Sequence, residues 1–266
     1  MKKVMLVFGT RPEAIKMCPL VKELKQHTTI ETVVCVTGQH KEMLEQVLDV
    51  FKIIPDYDLG VMKTNQTLFT ITTSILDKIQ SVLDEEKPDI VLVHGDTTTT
   101  FVTALAAFYK GIKVGHVEAG LRTYNLHSPF PEEFNRQATS IVSDYNFAPT
   151  EVSKENLVRE GRENIFVTGN TVIDALKTTV QNDYSHPILD WAKGSKLIML
   201  TAHRRENLGE PMEHMFRAVN RILDEFEDVK VVYPIHKNPK VRELANKVFG
   251  NNAVSYTHLR AHETTL

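Results

Sequence analysis

Two acidic residues follow apolar runs in the middle of the chain. Asp96 comes two residues after the run 90–94, and Glu118 directly follows the run 112–117. Both runs have the composition of buried strands in a parallel sheet. The Ala-rich segment 97–110 between them has apolar residues at helical spacing, so it predicts a crossover helix that brings both strand ends to one edge of the sheet. Ligands bind at that edge in open α/β sheets, and we therefore expect both acids to face one crevice.

A third acid, Glu132, follows in a proline-rich loop, and the three carboxylates together indicate proton transfer or stabilisation of positive charge. Each one also has an ordinary explanation that the sequence leaves open. Asp96 precedes a helix start, where an aspartate can act as the N-cap. Glu118 stands before a flexible turn and is alternatively a solvated loop residue. Glu132 and Glu133 lie in the first turn of a predicted helix, where acids complement the helix dipole.

Basic residues follow the first predicted strand, which covers residues 3–8. Arg11, Pro12 and Lys16 lie in the turn and helix after that strand. Proline suits the first helical turn, and a strand-to-helix turn offers free backbone amides, so this segment predicts an anion site. It lacks the G-x-G-x-x-G pattern of dinucleotide-binding proteins, which leaves Arg11 and Lys16 to hold a phosphate group. Alternatively, both are ordinary solvated helix residues.

The second half of the chain repeats this arrangement. His203 and Arg204 follow a predicted strand over 197–201, and His236 follows another strand over 229–234. A single histidine is more often structural, but the basic cluster that begins at His203 favours contact with a ligand. Two α/β units with basic strand ends predict a cleft that closes on a phosphorylated ligand.

Strand and helix patterns alternate to about residue 170, which predicts a doubly wound parallel α/β sheet. A polar break over 182–187 precedes a second, shorter alternation. We therefore predict a first domain over 1–170, a linker with a partial second domain over 171–254, and a tail over 255–266 that has no clear apolar period.

Two segments of the first domain are irregular in sequence. Pro19 lies where the first helix should continue, and it predicts a kink or a restart of that helix. Residues 53–67 contain no clear element and are long enough for a functional flap. The helix predicted next, over 68–83, has a strong apolar stripe that belongs to the core.

Length and composition exclude several classes of protein. The 266 residues are 42% hydrophobic, enough for a substantial core, and the formal net charge of -3 gives no basic surplus for nucleic-acid binding. The N-terminal apolar run is too short for a signal peptide, and no stretch is long enough to span a membrane. Cys18 and Cys35 fit reduced core thiols of a cytoplasmic protein. His and Cys do not occur at zinc-type spacing, so we predict neither a metal nor a cofactor.

Several segments, in this order along the chain, resemble the non-hydrolysing UDP-N-acetylglucosamine 2-epimerases: FGTRPEAIKM, HGDTTTT, GHVEAGLRT, PFPEEFNR, TGNTVIDAL and TAHRREN. The resemblance runs from about residue 3 to about residue 253. It implies two Rossmann-like domains in a glycosyltransferase-B-like arrangement, the second of them incomplete in this chain. It also implies a homodimer that interconverts UDP-N-acetylglucosamine and UDP-N-acetylmannosamine.

The resemblance also implies roles for individual residues. Catalytic or active-site roles fall on Arg11, Lys16, Asp96, Glu118, Glu132 and His203. In bacterial members a second, activating molecule of UDP-N-acetylglucosamine binds near residues that match Gln39, His40, Arg204 and His236.

The chemistry of that reaction explains these residue types. The hydrogen at C2 of the sugar is not next to a carbonyl group, so its removal needs the departure of UDP from C1, which develops positive charge there. Cations stabilise the leaving diphosphate, carboxylates stabilise the developing cation, and two acid–base groups on opposite faces of the ring move the proton. The intermediate is 2-acetamidoglucal, held in a closed cleft. The sequence leaves base and acid unassigned among Asp96, Glu118 and Glu132.

Family members continue past the end of this chain with a Gly-rich loop and a final helix. We therefore expect the 266-residue chain to be weak or inactive, and the tail over 255–266 to be foreign to the gene. Two other functions stay open on sequence alone: a glycosyltransferase-B-type glycosyltransferase, which needs an acceptor site, and a non-catalytic UDP-sugar-binding module. Exchange of the C2 hydrogen with solvent separates an epimerase from both.

Overall fold

A computed structural model describes residues 1–38, 41–62, 66–180, 183–202, 207–235, 238–250 and 254–257. The chain divides into two compact units, Met1–Thr179 and Val180–Leu266. Each unit contains one parallel β-sheet together with helices. The predicted α/β class is therefore confirmed.

The first unit has a sheet of seven described strands, all parallel, in the order β3-β2-β1-β4-β5-β6-β7. In chain order the strands are β1 (Lys2–Phe8), β2 (Ile30–Val36), β3 (Tyr57–Asp58), β4 (Ile90–His94), β5 (Lys113–Val117), β6 (Tyr145–Ala148) and β7 (Ile165–Val167). The described helices are α1 (Arg11–Leu24), α2 (Lys41–Phe51), α3 (Leu68–Glu86), α4 (Thr98–Tyr109), α5 (Glu132–Val142), α6 (Glu151–Arg159) and α7 (Val172–Thr179). The strand order reverses between β1 and β4, and this switch point is where open α/β sheets bind ligands.

The central strand β1 shows why this sheet is doubly wound. Met5 and Val7 belong to one buried cluster with residues of α3 and α4, whereas Leu6 and Phe8 belong to another with residues of α1 and α2. All four side chains are fully buried. Burial on both faces explains why the strand reads as a continuous apolar run instead of an alternating one.

The second unit has a three-stranded parallel sheet in the order β10-β9-β8. Its described elements are α8 (Pro187–Ala192), β8 (Lys196–Met199), α9 (Glu210–Glu225), β9 (Val229–Pro234), α10 (Pro239–Phe249) and β10 (Val254–Thr257). Phe216 lies at the centre of its core, with its ring centroid 5.6 Å from that of Tyr233 and 5.0 Å from that of Phe249. This unit therefore has a small core of its own.

The structure corrects two predictions about the first unit. Helix α1 does not restart at Pro19, because Met17, Cys18 and Val21 on either side of it are buried in the core and the proline removes only one backbone donor. A kink at Pro19 stays a prediction. The segment 53–67 does contain an element, since β3 adds to the edge of the sheet beside β2.

The boundaries at the ends of the predicted domains also differ from the structure. The first unit ends at Thr179 instead of residue 170, because α7 packs on α1 and buries Ala175 in the same cluster as Met17. Residues 255–257 of the predicted tail lie in β10, which pairs with the edge of β9 through its main chain. Helix α8 was not predicted; it begins after His186, whose Nδ1 accepts a hydrogen bond from the backbone of Ile188 at 3.2 Å.

Within the described ranges, no helix combines the length and the apolar composition that a membrane crossing requires.

Candidate functional site

An ion pair between Lys16 and Glu118 lies at the carboxyl edge of the first sheet. Lys16 Nζ on α1 contacts Glu118 Oε1 just after β5. The same carboxylate oxygen accepts a hydrogen bond from Asn170 Nδ2 at 2.9 Å, and His94 Nε2 lies 3.7 Å from the other oxygen, Oε2. The Lys16 and Glu118 side chains are only 22% and 13% exposed, so the pair is largely shielded from water.

The surroundings of Glu118 keep it ionised. Burial favours the neutral acid, but the interaction with His94, the hydrogen bond and charge of Lys16, and the hydrogen bond from Asn170 together outweigh burial and hold the pKa of Glu118 below its ordinary value. Burial also lowers the pKa of His94 to about 4, so this ring is neutral near pH 7. Glu118 has a φ of 63°, a left-handed conformation that residues other than glycine rarely adopt. Such strain persists where surrounding contacts fix the residue, often at functional sites.

Asp96 is not the N-cap of the helix that follows it. Thr97 fills that role, since its hydroxyl oxygen accepts a hydrogen bond from the backbone of Thr100 at 3.1 Å. The backbone carbonyl of Asp96 accepts a hydrogen bond from Asn135 Nδ2 at 2.9 Å, and Arg136 Nε lies 3.7 Å from Asp96 Oδ2. The Asp96 carboxyl is therefore held in place by α5 without serving to cap α4.

The pKa of Asp96 is shifted in the opposite direction to that of Glu118. Burial raises the pKa of Asp96 to about 6; Arg136 opposes this shift, and the negative charges of Glu132, Glu118 and Glu13 add to it. Asp96 thus exchanges a proton near neutral pH, whereas Glu118 stays charged. The sheet edge presents two carboxyls that differ in protonation behaviour, a pattern of acid–base sites.

We predict that Asp96→Asn removes a pH-dependent loss of stability. The folded-state pKa is raised from 3.8 to about 6, so the folded protein binds the proton more tightly and Asp96 makes wild type lose stability as pH rises through that window. The asparagine variant does not titrate, so it lacks this loss of stability. Its free energy of unfolding relative to wild type, measured by urea denaturation, should rise between pH 3.8 and about 6 and then level off. A difference that is flat across the window would contradict the raised pKa.

The two acids at the start of α5 have different roles. Glu133 is fully buried and accepts hydrogen bonds from the backbone amides of Thr123 at 3.0 Å and Tyr124 at 2.9 Å, so it holds the preceding loop. Glu132 is only half-buried, and its charge contributes to the raised pKa of Asp96. Of these two acids, Glu132 is the one that acts on the site.

The predicted anion site after β1 is already occupied by a side chain of the protein. The backbone amides of Gly9 and Thr10 donate to Glu13 Oε2 at 3.0 and 2.7 Å. Gly9 is required here, because a Cβ at this position would lie 1.9 Å from Thr37 Oγ1. The prediction of free backbone donors for a phosphate group was wrong, since the helix supplies its own carboxylate, and Lys16 pairs with Glu118 instead. Arg11, the first residue of α1, is half-buried beside this turn.

The structure therefore brings together Lys16, Asp96, Glu118 and Glu132 of the predicted site. Gln39, His40, His203, Arg204 and His236 lie outside the described residues.

Four contributors at the site were missed from sequence. Glu13, His94, Asn135 and Asn170 contact the site carboxyls or the turns beside them. Three of them stand inside the segments that carry the family resemblance and one, His94, opens such a segment, so those segments were the available signal. Their contacts join residues that are distant in sequence, which periodicity does not reveal.

The first unit has a seven-stranded parallel sheet, and two carboxyls with opposite pKa shifts lie at its carboxyl edge. This combination is typical of a Rossmann-like α/β protein with an acid–base site. Residues 22–264 match the family model described as UDP-N-acetylglucosamine 2-epimerase. A relative of that name from Bacillus subtilis (strain 168) is 62% identical over 252 residues, which cover 94% of this chain and 66% of the relative. The chain belongs to the UDP-N-acetylglucosamine 2-epimerase family.

Solved structures give the same result. The crystal structure of UDP-GlcNAc 2-epimerase from Neisseria meningitidis bound to UDP-GlcNAc has a TM-score of 0.86 and 48% identity, covering 98% of this chain and 73% of that one. The S. aureus MnaA-UDP co-structure has a TM-score of 0.86 and 52% identity, covering 96% of this chain and 69% of that one. The chain thus spans about two thirds of the length of the curated relatives that it matches. The family resemblance and the fold class predicted from sequence are confirmed.

Proposed function

We propose that this protein is a UDP-N-acetylglucosamine 2-epimerase that interconverts UDP-N-acetylglucosamine and UDP-N-acetylmannosamine. The observation that carries the proposal is the pair of carboxyls at one sheet edge, with Asp96 titrating at about 6 and Glu118 held ionised beside Lys16. Membership of the family and the Neisseria meningitidis relative bound to UDP-GlcNAc support the choice of substrate. Epimerisation needs acid–base groups that remove and return the C2 proton, together with a fixed charge that stabilises the cation at C1.

The reaction balances as an elimination followed by an addition. The bond between C1 and the UDP oxygen breaks with its electron pair leaving on UDP, a base takes the C2 proton, and a double bond forms between C1 and C2. The product of this half is 2-acetamidoglucal with UDP. In the second half a proton is delivered to the opposite face of C2, and a UDP oxygen bonds again to C1. No cofactor is consumed.

The different pKa values assign the carboxyls to different tasks in this proposal. A proton-transfer group works best when its pKa is near the working pH, which fits Asp96. Glu132, whose charge acts on Asp96, is the second acid–base group. Glu118 is a weak base because its lowered pKa means a low affinity for a proton, and it instead stabilises the positive charge that develops at C1. Lys16 holds Glu118 in place and is the described cation nearest to it.

The test is to incubate the protein with UDP-N-acetylglucosamine and follow the products by NMR. The proposal expects UDP-N-acetylmannosamine, and the same final mixture when the reaction starts from that sugar. Free N-acetylmannosamine would indicate a hydrolysing enzyme, transfer to an added acceptor would indicate a glycosyltransferase, and binding without products would indicate a binding module. The chain is assayed alone and continued with the C-terminal segment of the Bacillus subtilis relative, because it spans about two thirds of that length.

We also infer the setting in which the enzyme works. The buried thiols of Cys18 and Cys35 are unpaired, and burial raises the pKa of each to about 12, which suits a reducing cytoplasm.

Phe108 and Tyr109 are exposed on α4 and fit a homodimer contact. Light scattering tests the dimer, and a sigmoidal dependence of rate on substrate tests activation by a second substrate molecule. The product serves polysaccharide biosynthesis.

A further inference from the structure

A buried glutamate joins the two turns that form the candidate site. Glu13 is only 2% exposed. Its Oε2 accepts from the backbone amides of Gly9 and Thr10, both in the turn between β1 and α1. Its Oε1 accepts from the hydroxyl groups of Thr97 at 2.7 Å and Thr100 at 3.2 Å, at the start of α4. One carboxyl group thus accepts two hydrogen bonds from the turn after β1 and two from the start of α4.

These two turns follow neighbouring strands at the switch point of the sheet. Lys16 lies on α1 one turn after Glu13, and Thr97 directly follows Asp96. Within the described residues, the Glu13 hydrogen bonds join the segment that carries Lys16 to the segment that carries Asp96. Burial raises the pKa of Glu13, and the hydrogen bonds from Thr97, Thr10 and Gly9 oppose this shift. The link between the two turns depends on these hydrogen bonds, whether or not Glu13 is charged.

We propose that Glu13 is a positioning residue: its buried side chain fixes the turn after β1 against the turn after β4, so that Lys16 reaches Glu118. This inference deepens the proposed function and rests on it only for the chemical use of the site. The positions and protonation of the site carboxyls are measurable without turnover, so failure of one proposal is distinguishable from failure of the other.

Several charges face Asp96, and Glu13 is one of them. Arg136 and Glu132 come from α5, Glu118 follows β5, and Glu13 comes from α1. Of these, Arg136 lowers the pKa of Asp96 and the three acids raise it.

The test uses Glu13→Gln and titration of side-chain carboxyls by carbon-13 NMR on the 266-residue chain. Asn substitution at Asp96 and Gln substitution at Glu118 assign the two signals. The midpoint of Glu118 should move up, because Lys16 is less well placed. A folded Glu13→Gln protein with an unchanged Glu118 midpoint would overturn the proposal.

A second variant decides the matter if Glu13→Gln fails to fold. Thr97→Val removes one hydroxyl donor to Glu13 but leaves its carboxyl group, so the Glu118 midpoint should rise while that of Asp96 stays raised. An unchanged Glu118 midpoint in this variant would also overturn the proposal. Thr97→Ser keeps the hydroxyl and should restore wild-type values. Thr150→Val is the matched control for losing an N-cap, since Thr150 caps α6 through the backbone of Ser153 at 3.2 Å, and it should move neither midpoint.

Discussion

Asp96→Asn should slow exchange of the C2 hydrogen of UDP-N-acetylglucosamine by about 10²- to 10⁴-fold, the usual contribution of a positioned acid–base group. The amide has nearly the shape of the carboxyl but neither takes nor gives the proton. The backbone carbonyl that receives Asn135 stays in place, so the fold should survive. The rate is measured by proton NMR in heavy water.

The matched control for this variant is Asp84→Asn. Asp84 is an exposed aspartate that pairs with Lys110 at 2.6 Å, away from the carboxyl edge of the sheet. The control should exchange at the wild-type rate. If Asp96→Asn also exchanged at that rate, Asp96 would not be a proton-transfer group.

Lys16→Met should cost about 3 kcal/mol of stability, because it leaves the Glu118 carboxylate largely buried without its cation. The free energy of unfolding is measured by urea denaturation at neutral pH. The double variant with Glu118→Gln should recover most of the loss, since a neutral amide needs no counter-ion. Lys110→Met breaks a more exposed pair, with side chains 33% and 54% exposed, and should cost less than about 1 kcal/mol.

The pH dependence of the same pair has a definite sign. The pKa of Glu118 is lowered, so its contribution to stability is present above the ordinary value of 4.5 and is lost as pH falls through the folded-state pKa. Lys16→Met removes much of this loss on the acid side, and the stability difference between variant and wild type should shrink in acid. Equal costs for Lys16→Met and Lys110→Met at neutral pH would show that Lys16 and Glu118 do not form a shielded pair.

Sequence patterns predicted the framework of the site because they depend on local burial. The runs before Asp96 and Glu118 are apolar because both faces of the sheet are covered, and parallel pairing then places both acids at one edge. The bounds of β4 and β9 agree with the predicted segments 90–94 and 229–234. Where burial and periodicity determine an element, the sequence alone was sufficient to predict it.

Contacts between distant segments were not predictable in the same way. Glu13 stands in the first turn of α1, yet its side chain reaches Thr97 and Thr100 at the start of α4. Asn170 reaches Glu118 across the sheet edge, and nothing in its local pattern indicates this. The expectation of an open anion site failed for the same reason, since a neighbouring side chain competes for the backbone donors of Gly9 and Thr10.

Deuterium incorporation at C2 is the most direct measurement of the central claim, that carboxyls at this sheet edge remove and return the C2 proton. The protein and its C-terminally extended form are incubated with UDP-N-acetylglucosamine in heavy water, and the C2 proton signal is followed by NMR. We expect the signal to disappear as deuterium enters both sugars, and Asp96→Asn to suppress this loss. Formation of UDP-N-acetylmannosamine that keeps its original C2 hydrogen would show that these carboxyls do not exchange the C2 proton.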